Sequence, residues 1–441
     1  MKARDTVARA LATAMLAGEW TEPALRLRAQ GMLGRSTRRS QQALIGEMLS
    51  AIHTGYPPSP DWLASFLLAS PRFDRAAAPL RQSSAAIPPT LEPAVFTPAA
   101  KFADFDIPRL ATVGDLAEWL GISVAHLQWY ADVNHRLQRN SDTALQHYQY
   151  KFAAKRSGPP RLIEAPKPQL KAIQRRLLKE ILDFVPCHDR AYGFVAGRSC
   201  LGAAQVHAGE AMVIAADLTN FFPMTPLRRV HGIFRSLGYP WAVARVLTGL
   251  CSTATPSPLF LTLPVPQRHD LATRQMFAAP HLPQGAPTSP ALANLAARSL
   301  DDRLHGLARS RDANYTRYAD DLVFSGGSDF ARGAARFVAA VKEIANDEGY
   351  RLNARKTRIM GRGIAQRITG LTVNDHVNLP RADYDSLKAT LHNCRMNGPQ
   401  AENRADRHDF RAHIAGRVAW AEAVNPARAL KLRRMFEEIR W

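Results

Sequence analysis

Apolar residues recur at helical spacing through the first 70 residues, with polar residues on the opposite faces. The 3.6-residue period predicts four short helices, running from Thr6 to Leu16, Pro23 to Leu33, Ser40 to His53 and Asp61 to Leu68. Between residues 71 and 108 this period is lost, because prolines interrupt a stretch rich in alanine and serine. We therefore predict a helical N-terminal region of residues 1–70, followed by a linker of residues 71–108.

A second helical pattern covers residues 113–130 and is broken at Gly121. A pair of helices joined in this way occurs in DNA-binding proteins, but it more often packs on a neighbouring domain. Packing is the interpretation that we favour.

Alternating polar and apolar residues then indicate strands. Residues 147–152 and 161–166 flank a turn at Ser157-Gly158-Pro159-Pro160, and together they predict a hairpin. The helical period returns from Leu170 to Val185. The continuous apolar run of residues 211–216 predicts a strand that is buried on both faces.

Helices dominate the rest of the chain. Ser289 is a suitable N-cap and Pro290 a suitable first helical residue, so a helix is predicted to begin there. A further helix is predicted from Phe330 to Asn346. Residues 352–359 and 368–374 resemble short strands, and a basic helical tail begins at Ala382.

Composition favours a nucleic-acid partner. The chain has 441 residues with an apolar fraction of 46%, which suits a globular protein with two or three domains. Its 58 lysine and arginine residues outnumber 38 acidic residues and give a net charge of +20, which favours a polyanionic ligand. Four cysteines without CxxC spacing fit a reducing cytoplasm, and no apolar run reaches the ~18 residues of a membrane span.

Two adjacent carboxylates give the clearest chemical signal. Residues 315–325 predict a strand, a tight turn at Ala319-Asp320-Asp321 and a returning strand. Asp217 follows the buried strand, and the apolar flanks make the strands neighbours in one sheet. Carboxylates beside apolar strands need a compensating charge. Three of them are typical of phosphoryl transfer with two Mg²⁺ ions, which prefer oxygen ligands.

The alternative is that Asp320 and Asp321 lie in an exposed surface turn. A second acidic pair, Asp301-Asp302, serves as a comparison within the chain. It falls in a helical pattern with no aromatic strand before it, and we interpret it as a solvated helix face.

Basic residues cluster before the buried strand. The face of the helix from Leu170 that lies opposite its apolar residues carries Lys171 and Arg175, which suits contact with phosphates. Solvated charge is the alternative for each of them. The glycine-punctuated stretch 191–199, which contains Arg198, is a weak signal for a phosphate-binding loop.

Several segments together resemble the motifs of reverse transcriptases of the bacterial retron type. The resemblance runs from about Leu116 to Val424. The segments are Tyr-Ala-Asp-Asp at Tyr318, Asp-Leu-x-x-Phe-Phe-Pro at Asp217, Leu-Pro-Gln-Gly-Ala-Pro-Thr-Ser-Pro at Leu282, two finger motifs at residues 161–174 and 193–199, and Ile368-Thr369-Gly370 for the family's Val-Thr-Gly box. The family's Asn-Ala-x-x-His box is present as Ala203-Ala204-Gln205-Val206-His207, with alanine in place of asparagine.

The resemblance implies a right-hand α+β polymerase fold, with fingers and palm in residues 109–375 and a helical thumb in residues 376–441. It implies that Asp217, Asp320 and Asp321 bind the two Mg²⁺ ions. The residues implied for the incoming nucleotide and template base are Arg161 at the triphosphate (with Lys155 or Arg156), Phe222 as a steric gate against the ribose 2′-OH, Gln284 and Gly285 in the template pocket, and Lys356 near the pyrophosphate. The residues assigned to RNA are Lys171, Arg175, Arg198, His207, Thr369 and Gly370.

The implied function is an RNA-directed DNA polymerase that copies part of a structured noncoding RNA into a short single-stranded DNA. Synthesis from dNTPs would start at a 2′-OH of that RNA, in the cytoplasm and away from membranes, and would serve antiphage defence with an effector protein. The alternatives are a standalone defence enzyme, a group II intron relative, and a catalytically silent RNA-binding scaffold. The intact set of three acids weighs against the scaffold.

Overall fold

We describe the protein from a computed structural model, in which residues 2–16, 21–34, 37–51, 58, 60–78, 95–137, 144–155 and 159–441 are described. Helices combine with antiparallel sheet, as the α+β prediction requires. The chain forms two compact units, and each unit is discontinuous in sequence. The first comprises Met1–Pro186 and Phe222–Ala296, and the second comprises Cys187–Phe221 and Ala297–Trp441. The linear division predicted from the sequence does not coincide with these units.

The N-terminal helices of the first unit pack their apolar faces into one core. All four were predicted, and they span Lys2–Leu16, Glu22–Leu33, Arg38–Ala51 and Pro60–Ala69, whereas the predicted end at His53 lies outside the described residues. Their shared core includes fully buried leucines from each helix together with Trp241 from later in the chain. The core therefore joins residues distant in sequence.

The predicted linker is wrong at its start, and its middle, residues 79–94, lies outside the described residues. Pro71–Ala76 is a helix, capped by the Ser70 hydroxyl, and Phe73 is fully buried in the N-terminal core. At the other end, the backbone N–H of Thr97 donates to the carbonyl of Gly238 at 2.9 Å. A proline at the first helical position is compatible with a helix, so proline frequency alone was misleading here.

The two helices around Gly121 have a packing role, as we favoured. They span Val113–Leu120 and Val124–Ala131, and both contact the helix Trp241–Leu250. The approach is close, because a Cβ added to Gly249 would lie 2.4 Å from the carbonyl oxygen of Ala131.

The predicted hairpin is present as β1 (Tyr148–Ala153) and β2 (Arg161–Pro166), which pair antiparallel. The turn residues Ser157 and Gly158 lie outside the described residues. The predicted helix follows as Pro168–Glu180, and its buried Gln174 donates to Tyr148 Oη at 3.0 Å and to the carbonyl of Leu250 at 2.8 Å. Among the described residues of this unit, the remaining helices of at least eight residues are Leu227–Ser236, Trp241–Leu250, Leu271–Ala278 and Ser289–Ala296.

The second unit is built on a four-stranded antiparallel sheet. Its strands are β3 (Met212–Asp217), β4 (Ala313–Tyr318), β5 (Asp321–Gly326) and β6 (Arg358–Gly361), in the order β4-β5-β3-β6. One face packs against the helices Arg298–Arg309 and Ala334–Asp347, and the other covers an apolar cluster that includes Val213 and Val323. The predicted strand–turn–strand at residues 315–325 is confirmed.

Three boundary predictions in this region are wrong. Ser289 does not cap a helix; it is the first helical residue and its hydroxyl donates to the carbonyl of Pro283 at 2.7 Å. Of the strand predicted at residues 352–359, only the last two residues form a strand, as the start of β6. The strand predicted at residues 368–374 is instead a hairpin of β7 (Arg367–Ile368) and β8 (Leu371–Thr372).

The helical tail is confirmed. Its helices are Arg381–Asn397, Pro399–Glu402, Phe410–Val424 and Pro426–Glu437, and the three longer ones share a core. All four cysteines are free thiols. Within the described part of the chain, no helix has the length and apolar character needed to cross a bilayer.

Candidate active site

Three carboxylates lie at one end of the four-stranded sheet. The antiparallel register of β3 and β5 places Asp217 directly opposite Asp321. Side chains opposed in this way have Cβ atoms about 4.5–5.5 Å apart and project from the same face. Asp320 precedes β5 in the turn, and its carbonyl accepts a hydrogen bond from the N–H of Leu218 at 2.8 Å. The sequence therefore predicted the meeting of these acids correctly.

The charges at this end of the sheet repel one another. Burial, and after it the charges of Asp320 and Asp217, raise the pKa of Asp321 to about 6. The ammonium group of Lys356 lies 2.7 Å from Oδ2 of Asp217 and is the nearest compensating charge. Lys356 therefore lies at the acid cluster, as the resemblance implied, although its side chain is largely exposed.

The three carboxylates fit a divalent cation by donor type and by charge. In the side-chain conformations of this structure, no group of three His, Cys, Asp or Glu residues in the described ranges is arranged closely enough to hold a metal ion. Oxygen donors are nevertheless those that Mg²⁺ prefers. Burial, and after it the charges of Asp320 and Asp217, disfavour the ionised form of Asp321, and a bound cation would favour that form.

The turn between β4 and β5 is tightly constrained. Ala319 has a φ of +57°, a left-handed conformation that is unusual for a residue with a side chain. The stretch before Gly193 pairs with β4, since the N–H of Tyr192 donates to the carbonyl of Arg317 at 2.7 Å. Gly193 then lies against the turn itself, and a Cβ added there would be 2.4 Å from the backbone nitrogen of Ala319. Glycine at this position lets the two backbones touch.

We expect Gly193→Ala to reduce DNA synthesis by about 100-fold, because the turn that carries Asp320 must move to accept the methyl group. Gly327→Ala is a matched control, since an added Cβ there meets nothing within 4 Å and its φ is −71°. Nucleotide incorporation by the two purified variants provides the measurement. Equal rates would show that the close approach does not constrain the turn.

A buried ion pair supports the same turn. The guanidinium of Arg317 donates to both carboxylate oxygens of Asp301, at 2.7 and 2.6 Å, and all of these atoms are buried. Tyr315 donates to Asp301 at 2.7 Å. A further nitrogen of Arg317 donates to the carbonyl of Ala319 at 3.1 Å, which links the pair to the turn.

The interpretation of Asp301-Asp302 as a solvated face is therefore wrong for Asp301 and right for Asp302, which is exposed. The helix Arg298–Arg309 turns Asp301 towards the sheet together with Leu304 and Ala308. The i, i+3, i+7 spacing of these three residues was a signal for burial that the sequence interpretation missed.

His207 does not reach RNA from its position in this structure, which corrects its assignment as an RNA-binding residue. Its side chain is fully buried, and its ring nitrogens lie 2.8 Å from the hydroxyl of Ser325 and 2.7 Å from that of Thr316. His207 thus joins β4 and β5 from the face opposite Asp301. The Ala-x-x-His pattern revealed the residue but not the direction of its side chain.

Burial lowers the pKa of His207 to about 3, which predicts acid sensitivity. The unfolded chain takes up a proton below about pH 6.5, before the folded protein does, so the free energy of unfolding falls as the pH decreases. Relative to His207→Gln, the wild type should lose about 1.6 kcal/mol of unfolding free energy between pH 6.5 and 5. Urea denaturation of both proteins across this range measures the difference, and parallel pH profiles would refute it.

The side chain of Arg198 makes contacts within the protein. One guanidinium nitrogen donates to the carbonyls of His188 and Ala191, each at 2.6 Å, and another lies 3.6 Å from Asp189. These bonds hold the segment that pairs with β4. The glycine-punctuated loop therefore supports the turn, and contact of the half-buried Arg198 with RNA remains a prediction.

In the first unit, a buried carboxylate organises the Gln284-Gly285 turn. Glu164 on β2 accepts one hydrogen bond from the Thr255 hydroxyl at 2.6 Å and pairs with His281 at 3.0 Å. Burial alone would lower the pKa of His281, but the charge and hydrogen bond of Glu164 outweigh it and raise the pKa. The N–H of Glu164 donates to the carbonyl of Gln284 at 2.8 Å, and Gly285 has a φ of +139°. The sequence interpretation had not singled out this buried pair.

Other predicted residues of the first unit lie at its surface or close to it. Arg161 is exposed at the start of β2, Lys171 is half-buried and Arg175 exposed on the helix Pro168–Glu180, and Phe222 is half-buried. Lys155 is exposed, whereas Arg156 lies outside the described residues. Their contacts with nucleotide or RNA remain predictions.

Thr369 and Gly370 form the two-residue turn of the β7–β8 hairpin. Both have positive φ values, +46° and +84°, which is the pattern of the type I′ turns that tight hairpins favour. Gly370 is exposed. An RNA contact by this turn remains a prediction.

Comparison with known proteins assigns the family. Residues 153–381 match the family described as reverse transcriptase (RNA-dependent DNA polymerase). The chain is 39% identical to the Retron Mx65 reverse transcriptase of Myxococcus xanthus over 339 residues, which cover 76% of this chain and 73% of that protein. It is 37% identical to the Retron Mx162 reverse transcriptase of the same organism, over 71% of this chain and 64% of that protein.

The Retron Ec86 reverse transcriptase of Escherichia coli is 31% identical, over 65% of this chain and 79% of that protein. The chain belongs to the retron reverse transcriptase family and is an RNA-directed DNA polymerase.

Proposed function

We propose that the protein copies part of a cognate structured noncoding RNA into a short single-stranded DNA that stays joined to the RNA through a 2′-OH. We further propose that this product acts in antiphage defence together with an effector protein. The observation that carries the proposal is the placement of Asp217 opposite Asp321, with Asp320 in the adjoining turn, in a chain of the retron family.

Reverse transcriptases use divalent metal ions, and we propose Mg²⁺ as the metal, with Asp217, Asp320 and Asp321 as its ligands. Two bound Mg²⁺ ions would activate the attacking hydroxyl and stabilise the departing pyrophosphate. The sheet fixes the two opposed carboxylates, while the constrained turn orients the third. Lys356 is positioned beside Asp217 to supply a positive charge or a proton near the pyrophosphate.

We propose that nucleotide and template contacts come from four further residues. Arg161 would bind the triphosphate, Phe222 would exclude the ribose 2′-OH, and Gln284 and Gly285 would line the template pocket. The hydrogen bond between Glu164 and Gln284 gives that turn a rigid support.

For the RNA, we propose contacts by Lys171, Arg175, Thr369 and Gly370. The net charge of +20 supports a strong electrostatic contribution to RNA binding. Under the same proposal, residues 109–375 supply fingers and palm, and the helical bundle of residues 376–441 supplies the thumb.

The test is to incubate the purified protein with the noncoding RNA encoded beside its gene, dNTPs and Mg²⁺. We expect a branched product that is shortened by both ribonuclease and deoxyribonuclease. A DNA product free of RNA would instead support a reverse transcriptase with a different priming mechanism. The same reaction with an unrelated structured RNA is the control.

Phe222→Ala is expected to admit ribonucleotides, since a smaller side chain removes the proposed clash with the 2′-OH. Phe221 is the less suitable gate, because it is buried with its ring 5.6 Å from that of Tyr350. The ratio of dNTP to rNTP incorporation efficiency measures discrimination, and we expect it to fall at least tenfold, about 1.4 kcal/mol. Unchanged discrimination would place the gate at another residue.

A further inference from the structure

A cavity of about 290 Å³ lies in the second unit, away from the active-site residues Asp217, Asp320 and Asp321. It is lined by Arg190, His305, Arg309, Ala313, Asn314 and Tyr315. Ala313 is the first residue of β4, whereas the turn with Asp320 follows the last. The six residues of β4 span roughly 17 Å, so the cavity belongs to the opposite end of the hairpin.

Positive charge converges on this cavity from two elements. The backbone of Arg190 is fixed, since its N–H donates to His188 Nδ1 at 3.0 Å and its carbonyl accepts from Arg317 at 2.8 Å. Arg309 lies in the last turn of the helix Arg298–Arg309, one turn after His305 and on the same face. Burial, followed by the charges of Arg190, His188 and Arg309, lowers the pKa of His305, which agrees with this crowding.

Three carboxylates of segments near the cavity have partners other than Arg190 and Arg309, whereas Asp312, beside Ala313, is exposed. Asp302 pairs with His188 at 3.3 Å, Glu210 accepts a hydrogen bond from Asn314 at 3.0 Å, and Asp301 is occupied by Arg317. In the described ranges, neither Arg190 nor Arg309 has a carboxylate within 4.0 Å of its guanidinium.

Two full positive charges therefore face the cavity. The end of the helix dipole contributes roughly half a negative charge, which does not cancel them. Like charges brought together in this way are unfavourable until an anion joins them.

We propose that this cavity binds a phosphate group of the RNA or DNA backbone, with Arg190 and Arg309 as its charged ligands. The planar guanidinium suits phosphate oxygens, which it can contact through two parallel hydrogen bonds. The volume exceeds that of a few water molecules at about 30 Å³ each, so an adjoining sugar also fits. A nucleic-acid polymerase brings phosphodiesters to its surface in every cycle, which favours the backbone over free inorganic phosphate as the source.

The test compares the double variant Arg190→Gln/Arg309→Gln with Arg311→Gln, which removes an exposed charge just beyond the same helix without lining the cavity. A fluorescent single-stranded RNA is titrated against the full-length proteins over a range of NaCl concentrations. For the double variant we expect about tenfold weaker binding, and a salt slope reduced by about 0.7 for each phosphate that is no longer neutralised. Arg311→Gln should retain the wild-type slope.

Two further measurements keep the outcomes distinct. The melting temperatures of the wild type and the double variant, measured with and without inorganic phosphate at constant ionic strength, test whether the cavity binds free phosphate instead. A stabilisation that is absent from the double variant, with an unchanged RNA slope, would assign the cavity to free phosphate and overturn the backbone assignment. If the double variant shows neither a reduced RNA salt slope nor a loss of stabilisation by phosphate, the proposed phosphate site is wrong. Nucleotide incorporation by the wild type on the same RNA tests the proposed polymerase function by itself, so that a failure of the phosphate site is separable from a failure of that function.

Discussion

Asp301→Asn is expected to lower the free energy of unfolding by about 3–5 kcal/mol and to reduce DNA synthesis as well. Asp301 receives two hydrogen bonds from Arg317, and both side chains are completely buried. Asparagine keeps the shape of the side chain but leaves the guanidinium charge in the interior without an anion. Urea denaturation followed by circular dichroism measures the loss.

Asp302→Asn is the matched control, since it makes the same chemical change at the next residue. Asp302 is exposed, with His188 as its partner at 3.3 Å. We expect this variant to lie within about 0.5 kcal/mol of the wild type. Equal stability of the two variants would contradict the assignment of Asp301 to a buried ion pair.

A triple substitution separates stability from positioning. Asp301→Leu combined with Arg317→Met replaces the buried charges by apolar side chains, which often restores or increases stability. Tyr315→Phe is added because the Tyr315 hydroxyl would otherwise lose its acceptor on Asp301. The same change removes the hydrogen bond from Arg317 to the carbonyl of Ala319. We expect stability to recover while DNA synthesis stays low. Recovery of both would mean that the pair only stabilises the fold.

Local patterns predicted the elements of the active site well. β3 and the β4–β5 hairpin were recognisable from an apolar run, a tight turn and alternating residues, all of which are short-range signals. The approach of Asp217 to Asp321 followed because two strands with apolar flanks pair in one sheet. These features depend on few residues and little on the remainder of the chain.

The supports of the site were not predicted, because they join distant segments. His207 reaches Thr316 and Ser325 across 109 and 118 residues. Arg198 holds a segment that has no periodicity of its own, so neither a helical nor a strand pattern marks it. In both cases a motif identified the residue, whereas the packing of the second unit decided what its side chain touches.

The predicted domain boundaries differ from the two compact units because each unit also joins distant segments. Both compact units contain segments from separate parts of the chain, and a linear search for composition changes divides a sequence only at consecutive residues. The helix Pro71–Ala76 shows the same effect on a smaller scale, since Phe73 belongs to the N-terminal core despite the prolines around it.

Asp321→Asn should slow DNA synthesis by about a thousandfold without loss of stability. Burial and the charges of Asp320 and Asp217 disfavour the ionised Asp321 carboxylate, so a neutral amide removes an unfavourable charge from the folded state. The same change removes a proposed metal ligand. Losing about 4 kcal/mol of transition-state stabilisation corresponds to a rate reduction of about a thousandfold.

The most direct measurement is therefore incorporation of labelled dNTPs by the wild type, Asp321→Asn and Asp302→Asn, with the unfolding transition recorded for the same preparations. We predict that Asp321→Asn is at least as stable as the wild type and about a thousandfold slower, and that Asp302→Asn matches the wild type in both respects. Synthesis by Asp321→Asn at the wild-type rate would contradict the account.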